Sequence, residues 1–553
     1  MVILSVLIGC TSDQALTTAP ETEDTVPDGT LVLEIPEAIA WSEAGDIQVS
    51  GQAKNLDTLT LNGNPVTITD DTFVETVTLT RGINHLVASG IDIGGDPLTD
   101  EATVLAGTFA SPGNTMPSVL GAHLGSAGLD AVGSYAATAL DPSLLLKKKD
   151  SLNPIYENHP ILGNWMEADL AGMTFQDAEI GITPTGGALE VTVTLPELVI
   201  ELAAYGELVW IDYDMDLQMT ADAAVITAEI MIEAVDGGLE VSMVDPDISL
   251  EGFTYDLSIL PSFIESYFFV ETIQGTVEDL LIAQSEEMVP AMIDEALTGL
   301  EFAYTMDLLG SELALSAAFA DVDVTAAGVS LDMDVNVAVP GSGTVSYAGY
   351  LAAPESSTPA PSTDSSLSLV VSDDLLNRTL FEMWRGGAME VTLSTEDGSL
   401  EPTTLEGLPL ETATVTISPQ LPPVIVDGES GLQLQAGALD VVASTPGASF
   451  GELIEMRLTI MADATIAVTD GILQPSIGDV SIAIEVLESD WVIHDGAVSE
   501  LVAWALPPEM LSSMASEVAI ALPSLGGVTV STAEFDRSQD DFYSAIFVEF
   551  RLE

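Results

Sequence analysis

Asp212, Asp214 and Asp216 in WIDYDMDL offer oxygen ligands at alternate positions, a spacing that invites a calcium reading. An EF-hand loop also needs a glycine at its turn and a glutamate further on, and neither falls at the required offset. The aspartates alternate with Ile211, Tyr213, Met215 and Leu217, which is the period of a half-buried strand. Asp321 with Asp323, and Asp332 with Asp334, follow the same rhythm. His85, His123, His159 and His494 are scattered without metal spacing. No G-x-S-x-G elbow, phosphate loop or dinucleotide fingerprint occurs, and nothing joins a nucleophile to its base. The expectation is a non-enzyme with no metal and no cofactor; a hydrolase would rest on no motif. Lys147, Lys148 and Lys149 are three of only 10 basic residues. They read as a solvated loop, as contacts to headgroup phosphates, or as partners of a helix C-terminus. Cys10 is the only cysteine. A single thiol excludes an intramolecular disulfide and any metal site of several thiolates.

The elements that must position such residues sit in a chain of 553 residues, long enough for several domains. The balance of 10 Lys+Arg against 88 Asp+Glu gives a formal charge of −78. That field repels nucleic-acid phosphates and anionic headgroups. Yet 47% of the residues are apolar, unlike an acidic disordered chain. Acidity and apolarity together imply a large core, or an apolar cavity, under a charged skin; a saline habitat would impose the same acidity. No stretch after the first ten residues has the roughly 18 uninterrupted apolar residues of a spanning helix.

The first ten residues end in Leu7-Ile8-Gly9-Cys10, which resembles the lipobox of bacterial lipoproteins. The resemblance implies an acylated Cys10, with 1–10 as signal peptide and lipobox and the 1–9 leader cut before the cysteine, although no basic residue precedes the apolar run. Two or three acyl chains anchor stably where one binds marginally, at roughly 0.8 kcal/mol per buried CH₂. The alternative is an N-terminal cysteine with no role. Residues 11–29 are rich in Thr, Glu, Asp and Pro and read as a tether. Thr11, rather than an aspartate, implies sorting to the outer membrane, facing periplasm or cell surface.

Residues 30–107 alternate with period two, with Asn62-Gly63 as a hairpin signal. They resemble the small immunoglobulin-like sandwiches that act as spacers in bacterial surface proteins. From 108 the order becomes helix (116–140), long strands, helix (261–300, with a break at Pro290), then strands to about 350. A Pro/Ser/Thr connector spans 351–366, and the order repeats over 367–553, beginning with a helix at 372–387.

That duplicated order resembles the tubular lipid-binding family of bactericidal/permeability-increasing and lipopolysaccharide-binding proteins. LVVSDDLLNRTLFEMWRGGAMEVTL looks like the start of the family's second barrel, and ALPSLGGVTVSTAEF with FYSAIFVEF like its closing strands. The resemblance implies an α+β boomerang of two tandem barrels, each a highly twisted antiparallel sheet around a long helix, following the small all-β sandwich. The family's usual disulfide cannot form here, and its basic tip has no counterpart. Lipid would lie in apolar grooves at 108–350 and 367–553. The helices offer Leu120, Leu124, Tyr135, Phe263, Tyr267, Phe268, Ile273, Val277 and Leu281 in the first half. In the second they offer Leu376, Leu380, Phe381, Trp384, Leu501 and Trp504. Each could equally belong to closed core. The expected protein is a membrane-anchored binder of phospholipid or another acyl-chain ligand, with no nucleic acid and an unidentified protein partner. The alternative is a structural or adhesive surface lipoprotein with closed barrels.

Overall fold

The computed structural model describes residues 5–8 and 29–551 apart from 36–38, 114, 143–145, 147–152, 159–164, 209–210, 257–269, 299–302, 309–310, 340–347, 354–364, 406–407, 411, 429–430, 445–451, 470–471, 490–494, 507–519, 522–528 and 539–542. The chain is mostly β-sheet. Its helices include α1 (Ser126–Ala139), α2 (Val270–Thr298), α3 (Asp373–Arg385) and α4 (Asp495–Ala505). Cys10, the tether through residue 28, the three adjacent lysines, His159 and His494 fall outside the described residues.

The N-terminal module is two sheets. Thr30–Glu34, Gly45–Lys54 and Thr72–Leu79 form one; Ile39–Ser42, Pro97–Ala106, Gly82–Asp92, Leu56–Leu61 and Asn64–Pro65 form the other. Val49, Phe73, Leu86 and Val104 pack in its core. Asn62 and Gly63 both take positive φ, 51° and 76°, between Leu61 and its partner Asn64. The Asn-Gly hairpin thus forms where its residues require.

Beyond the module, three large sheets share the work. The first half builds a seven-stranded sheet around the long antiparallel pair Leu189–Leu208 and Ile211–Val235. The second half supplies seven strands of an eight-stranded sheet around Glu452–Thr469 and Ile472–Ser489, the eighth being Ser5–Ile8. Between them lies a seven-stranded sheet drawn from both halves. Its order is Ala303–Leu308, Ser311–Thr325, Gly328–Ala338, Met116–Gly125, Leu367–Ser372, Tyr543–Arg551, Thr529–Ser538. The seam is the antiparallel pairing of Met116–Gly125 with Leu367–Ser372, for instance Ala122 opposite Leu369. Each half therefore repeats strand, helix, strands, helix, strands.

Two sequence expectations need correction. The expected helix at 116–140 begins only at Ser126; residues 116–125 are a strand at the centre of the middle sheet. Buried from Val119 through Gly125, that strand has no polar face to alternate with, so it reads like a helix core. α2 runs through Pro290 without a break. Ser5–Ile8 pairs in parallel with Ser481–Ile484.

Asp212, Asp214 and Asp216 are exposed on Ile211–Val235, while Tyr213 and Met215 are half-buried and Leu217 is buried. The half-buried-strand reading of this stretch is the right one. No cluster of three or more potential metal ligands occurs among the described residues, and no described helix is long and apolar enough to cross a membrane.

Candidate functional site

α1 carries Leu129, Val132 and Ala136 on one face, spaced three and four residues apart, and buries all three. Two glycines set how closely it packs. A Cβ on Gly128 would stand 2.2 Å from the Ser366 carbonyl, and one on Gly133 would stand 2.4 Å from the Ile180 carbonyl. The helix is thus held against Ser366, at the end of the connector, on one side and the Glu179–Pro184 strand on the other. It ends at Leu140, whose N–H donates to the Ala137 carbonyl, with Pro142 two residues on.

The last turn of α1 and the segment from Phe175 to Ile180 wall a cleft of about 630 Å³. Its apolar walls are Ala137, Leu140, Phe175, Ala178 and Ile180. Ala137, Leu140, Phe175 and Ala178 are also packed against the core of the first half, which Ile180 joins. Its rim carries Asp141, Asp177 and Glu179, all exposed. The outer wall is fixed in place: the Gln176 N–H donates to the Pro196 carbonyl at 2.9 Å, and its side-chain amide donates to Glu197 at 2.5 Å. The size suits a small-molecule site, and a lining divided evenly between apolar residues and Ser134, Thr138, Asp141, Gln176, Asp177 and Glu179 suits an amphiphile.

None of the helix residues expected to hold lipid lines this cleft. Leu120, Leu124, Val277 and Leu281 are at most 5% exposed and lie in one core cluster, with Tyr135 packed against it. Phe381 and Trp384 belong to the same cluster. Leu501 is in the separate core of the second half, with Trp504 against it. Leu376 and Leu380 are half-buried on α3. Phe263, Tyr267 and Phe268 lie outside the described residues; Ile273 is in α2, its side chain not described. The cleft residues were missed because they sit at a helix end and in a loop. The signal was Leu140 followed by Pro142, a helix stop with an apolar residue just before it.

α3 holds what the apolar reading did not foresee. It opens on Ser372, whose Oγ accepts from the Asp374 N–H at 3.2 Å, with Asp373 and Asp374 in its first turn and Arg385 in its last. Its buried face carries Asp373, Asn377, Arg378 and Glu382, each at most 2% exposed. Each makes at least one polar contact, while Arg378 Nε is buried without a hydrogen-bond partner. Asn377 clamps the Ile425 backbone by two hydrogen bonds, 2.6 and 3.1 Å. Arg378 donates to the Ser111, Pro112 and Val337 carbonyls and pairs with Glu382 at 2.9 Å. Arg537 makes a two-pronged pair with Asp373, 2.5 and 2.8 Å, and reaches Asp427 at 2.7 Å. Arg81 of the N-terminal module lies 4.0 Å from Asp373.

That module is docked, not loose. Ile83 and Leu105 share an apolar cluster with Leu351, Leu421, Val424, Val426 and Ala438. Trp41 stacks edge-on to Phe109 at 5.0 Å and lies 6.3 Å from Trp384.

Neither a protein-family model nor a curated protein sequence matches the chain. Among solved structures it is similar to lipopolysaccharide binding protein, at 11% identity and a TM-score of 0.45, over 79% of this chain and 99% of that one. It is also similar to P47 of Clostridium botulinum E1, at 11% identity and a TM-score of 0.25, over 79% and 100%. Fibronectin(III)-like modules of Clostridium thermocellum CbhA match at 13% identity and a TM-score of 0.13, over 40% and 91%. None of the three carries the functional argument.

Proposed function

We propose that this chain is a lipid-binding protein, anchored to a membrane through Cys10, that holds acyl chains in apolar clefts between helix and sheet. The observation that carries the reading is the cleft between the end of α1 and Phe175–Ile180, with its walls of Ala137, Leu140, Phe175, Ala178 and Ile180. Each CH₂ taken from water into such walls contributes about 0.8 kcal/mol. The rim of Asp141, Asp177 and Glu179 lies under a −78 field, which favours uncharged or cationic heads over anionic ones.

Extraction of the purified soluble chain, followed by mass spectrometry, is expected to release a bound lipid. The delipidated chain takes up uncharged and cationic fluorescent acyl probes in preference to anionic ones. Ala137→Trp, which places an indole within the cleft, lowers uptake at least about tenfold, the effect of about 1.4 kcal/mol. No copurifying lipid together with no uptake overturns the proposal. The anchor is tested separately: labelled palmitate is incorporated by the wild type and lost in Cys10→Ala, and incorporation that survives the substitution removes Cys10 from the role.

A second reading, a structural or adhesive surface protein with closed cores, draws on the near-complete burial of Leu120, Leu124, Val277 and Leu281. It predicts no probe uptake and no effect of Ala137→Trp.

A further inference from the structure

The cleft at the end of α1 is polar in one sense only. The Ser134 hydroxyl donates to the Asp130 carbonyl at 2.8 Å, and the Thr138 hydroxyl donates to the Tyr135 carbonyl at 2.7 Å. The Gln176 side-chain amide donates to Glu197 at 2.5 Å. Both hydroxyls thus turn their protons into the helix and keep their lone pairs for the cleft they line. Of the lining side chains, only the second amide hydrogen of Gln176 is left to donate. Asp141, Asp177 and Glu179 add further acceptors, and no lysine, arginine or histidine lines the cleft among the described residues.

The helix end points the same way. α1 has no basic residue in its last turn, and the last four carbonyls of a helix lack partners inside it. The Ala137 carbonyl takes the Leu140 N–H. The Thr138 carbonyl would next take the N–H of residue 142, which is a proline and has none. The negative end of the helix dipole therefore lies at the cleft wall.

We propose that this cleft selects a primary ammonium head on an acyl chain, as in a long-chain amine or an amino-headed lipid, over a quaternary ammonium of the same charge. The proposal rests on the reading of the cleft as an acyl-chain site. A quaternary head brings charge without a donor, whereas a primary one brings the same charge with three N–H donors. Hydrogen bonds from an ionised donor are roughly twice as strong as neutral ones. A wall of acceptors rewards that difference, and an anionic head meets only repulsion there.

The purified chain is titrated at pH 7, where a primary amine is charged as lysine is. Dodecylammonium, dodecyltrimethylammonium, dodecanol and dodecyl sulfate, each below its micelle concentration, compete with the fluorescent acyl probe. Dodecylammonium is expected to bind about tenfold tighter than dodecyltrimethylammonium, a difference of about 1.4 kcal/mol, and dodecyl sulfate binds weakest. Thr138→Val removes one acceptor at nearly constant shape. It should weaken dodecylammonium about threefold or more and leave dodecyltrimethylammonium unchanged, whereas Asp177→Asn weakens both cations. Equal binding of the two cations by the wild type overturns the proposal and leaves the acyl-chain reading standing. So does a Thr138→Val variant that weakens both alike. Failure of all four probes to bind overturns the acyl-chain reading itself, and this proposal with it.

Discussion

At the residue scale, scarcity decides how cations are used. With 10 basic residues among 88 acidic ones, Arg81, Arg378, Arg385, Arg457 and Arg537 all sit in ion pairs, and none is spread over the surface. The Arg537–Asp373 pair is 5% and 0% exposed, so each charge needs the other. Arg537→Met would leave Asp373 and Asp427 facing Arg81 alone. Removing one partner of a buried pair costs about 3–5 kcal/mol. Urea unfolding of this variant should show a loss of that order. Arg537→Lys should lose less, because a point charge keeps the Coulomb attraction but not the two-pronged geometry. A loss below about 1 kcal/mol in Arg537→Met, the level of an exposed pair, would mean that the pair is solvated in solution.

At the element scale, α1 is positioned by what it lacks. Gly133 lets the helix backbone touch the Glu179–Pro184 strand, and Gly133→Ala must push it back. Overpacking of this kind costs about 1–3 kcal/mol. Because the same strand leads out of the cleft wall, the substitution should also change acyl-probe affinity, whereas Gly275→Ala on α2, where an added Cβ meets nothing within 4 Å, should leave it unchanged. Thermal melts and probe titrations on the two variants decide this. The element scale also marks where sequence reading succeeds. Leu189–Leu208 and Ile211–Val235 declare themselves by alternation, since one face is wet. Met116–Gly125 hides, because a strand buried on both faces shows no period. α3 was legible as a helix from Ser372 to Gly386, yet its buried face is polar, and no apolar pattern announces Asn377 or Arg378. The contacts that place the cleft and dock the module, Gly133 on Ile180 and Gln435 on Ile83, join residues far apart in sequence. Local spacing carries no trace of them.

At the scale of the whole molecule, −78 charges on one chain repel one another, and the compact state bears that repulsion more than the unfolded one. Raising salt from 0.1 to 1 M shortens the screening length from about 10 to 3 Å. The urea midpoint should therefore rise with salt, even though exposed ion pairs weaken, because repulsive pairs far outnumber attractive ones. A midpoint that falls across that range would show that the paired arginines outweigh the surplus. Buried pairs such as Arg537–Asp373 are screened least, so the Arg537→Met loss should persist at 1 M.

The middle sheet also sets an order of events during synthesis. Met116–Gly125 finds Gly328–Ala338 on one side only after about two hundred further residues are made, and Leu367–Ser372 on the other later still. Leu367–Ser372 is in turn covered by Tyr543–Arg551, about 170 residues further along. Until then a strand of almost wholly apolar composition stands with its backbone unpaired, and such an edge invites mispairing with a neighbour. The first half cannot be completed as it is made. Ribosome-bound chains stalled before residue 367 should resist refolding, where the module at 30–107 alone is already complete.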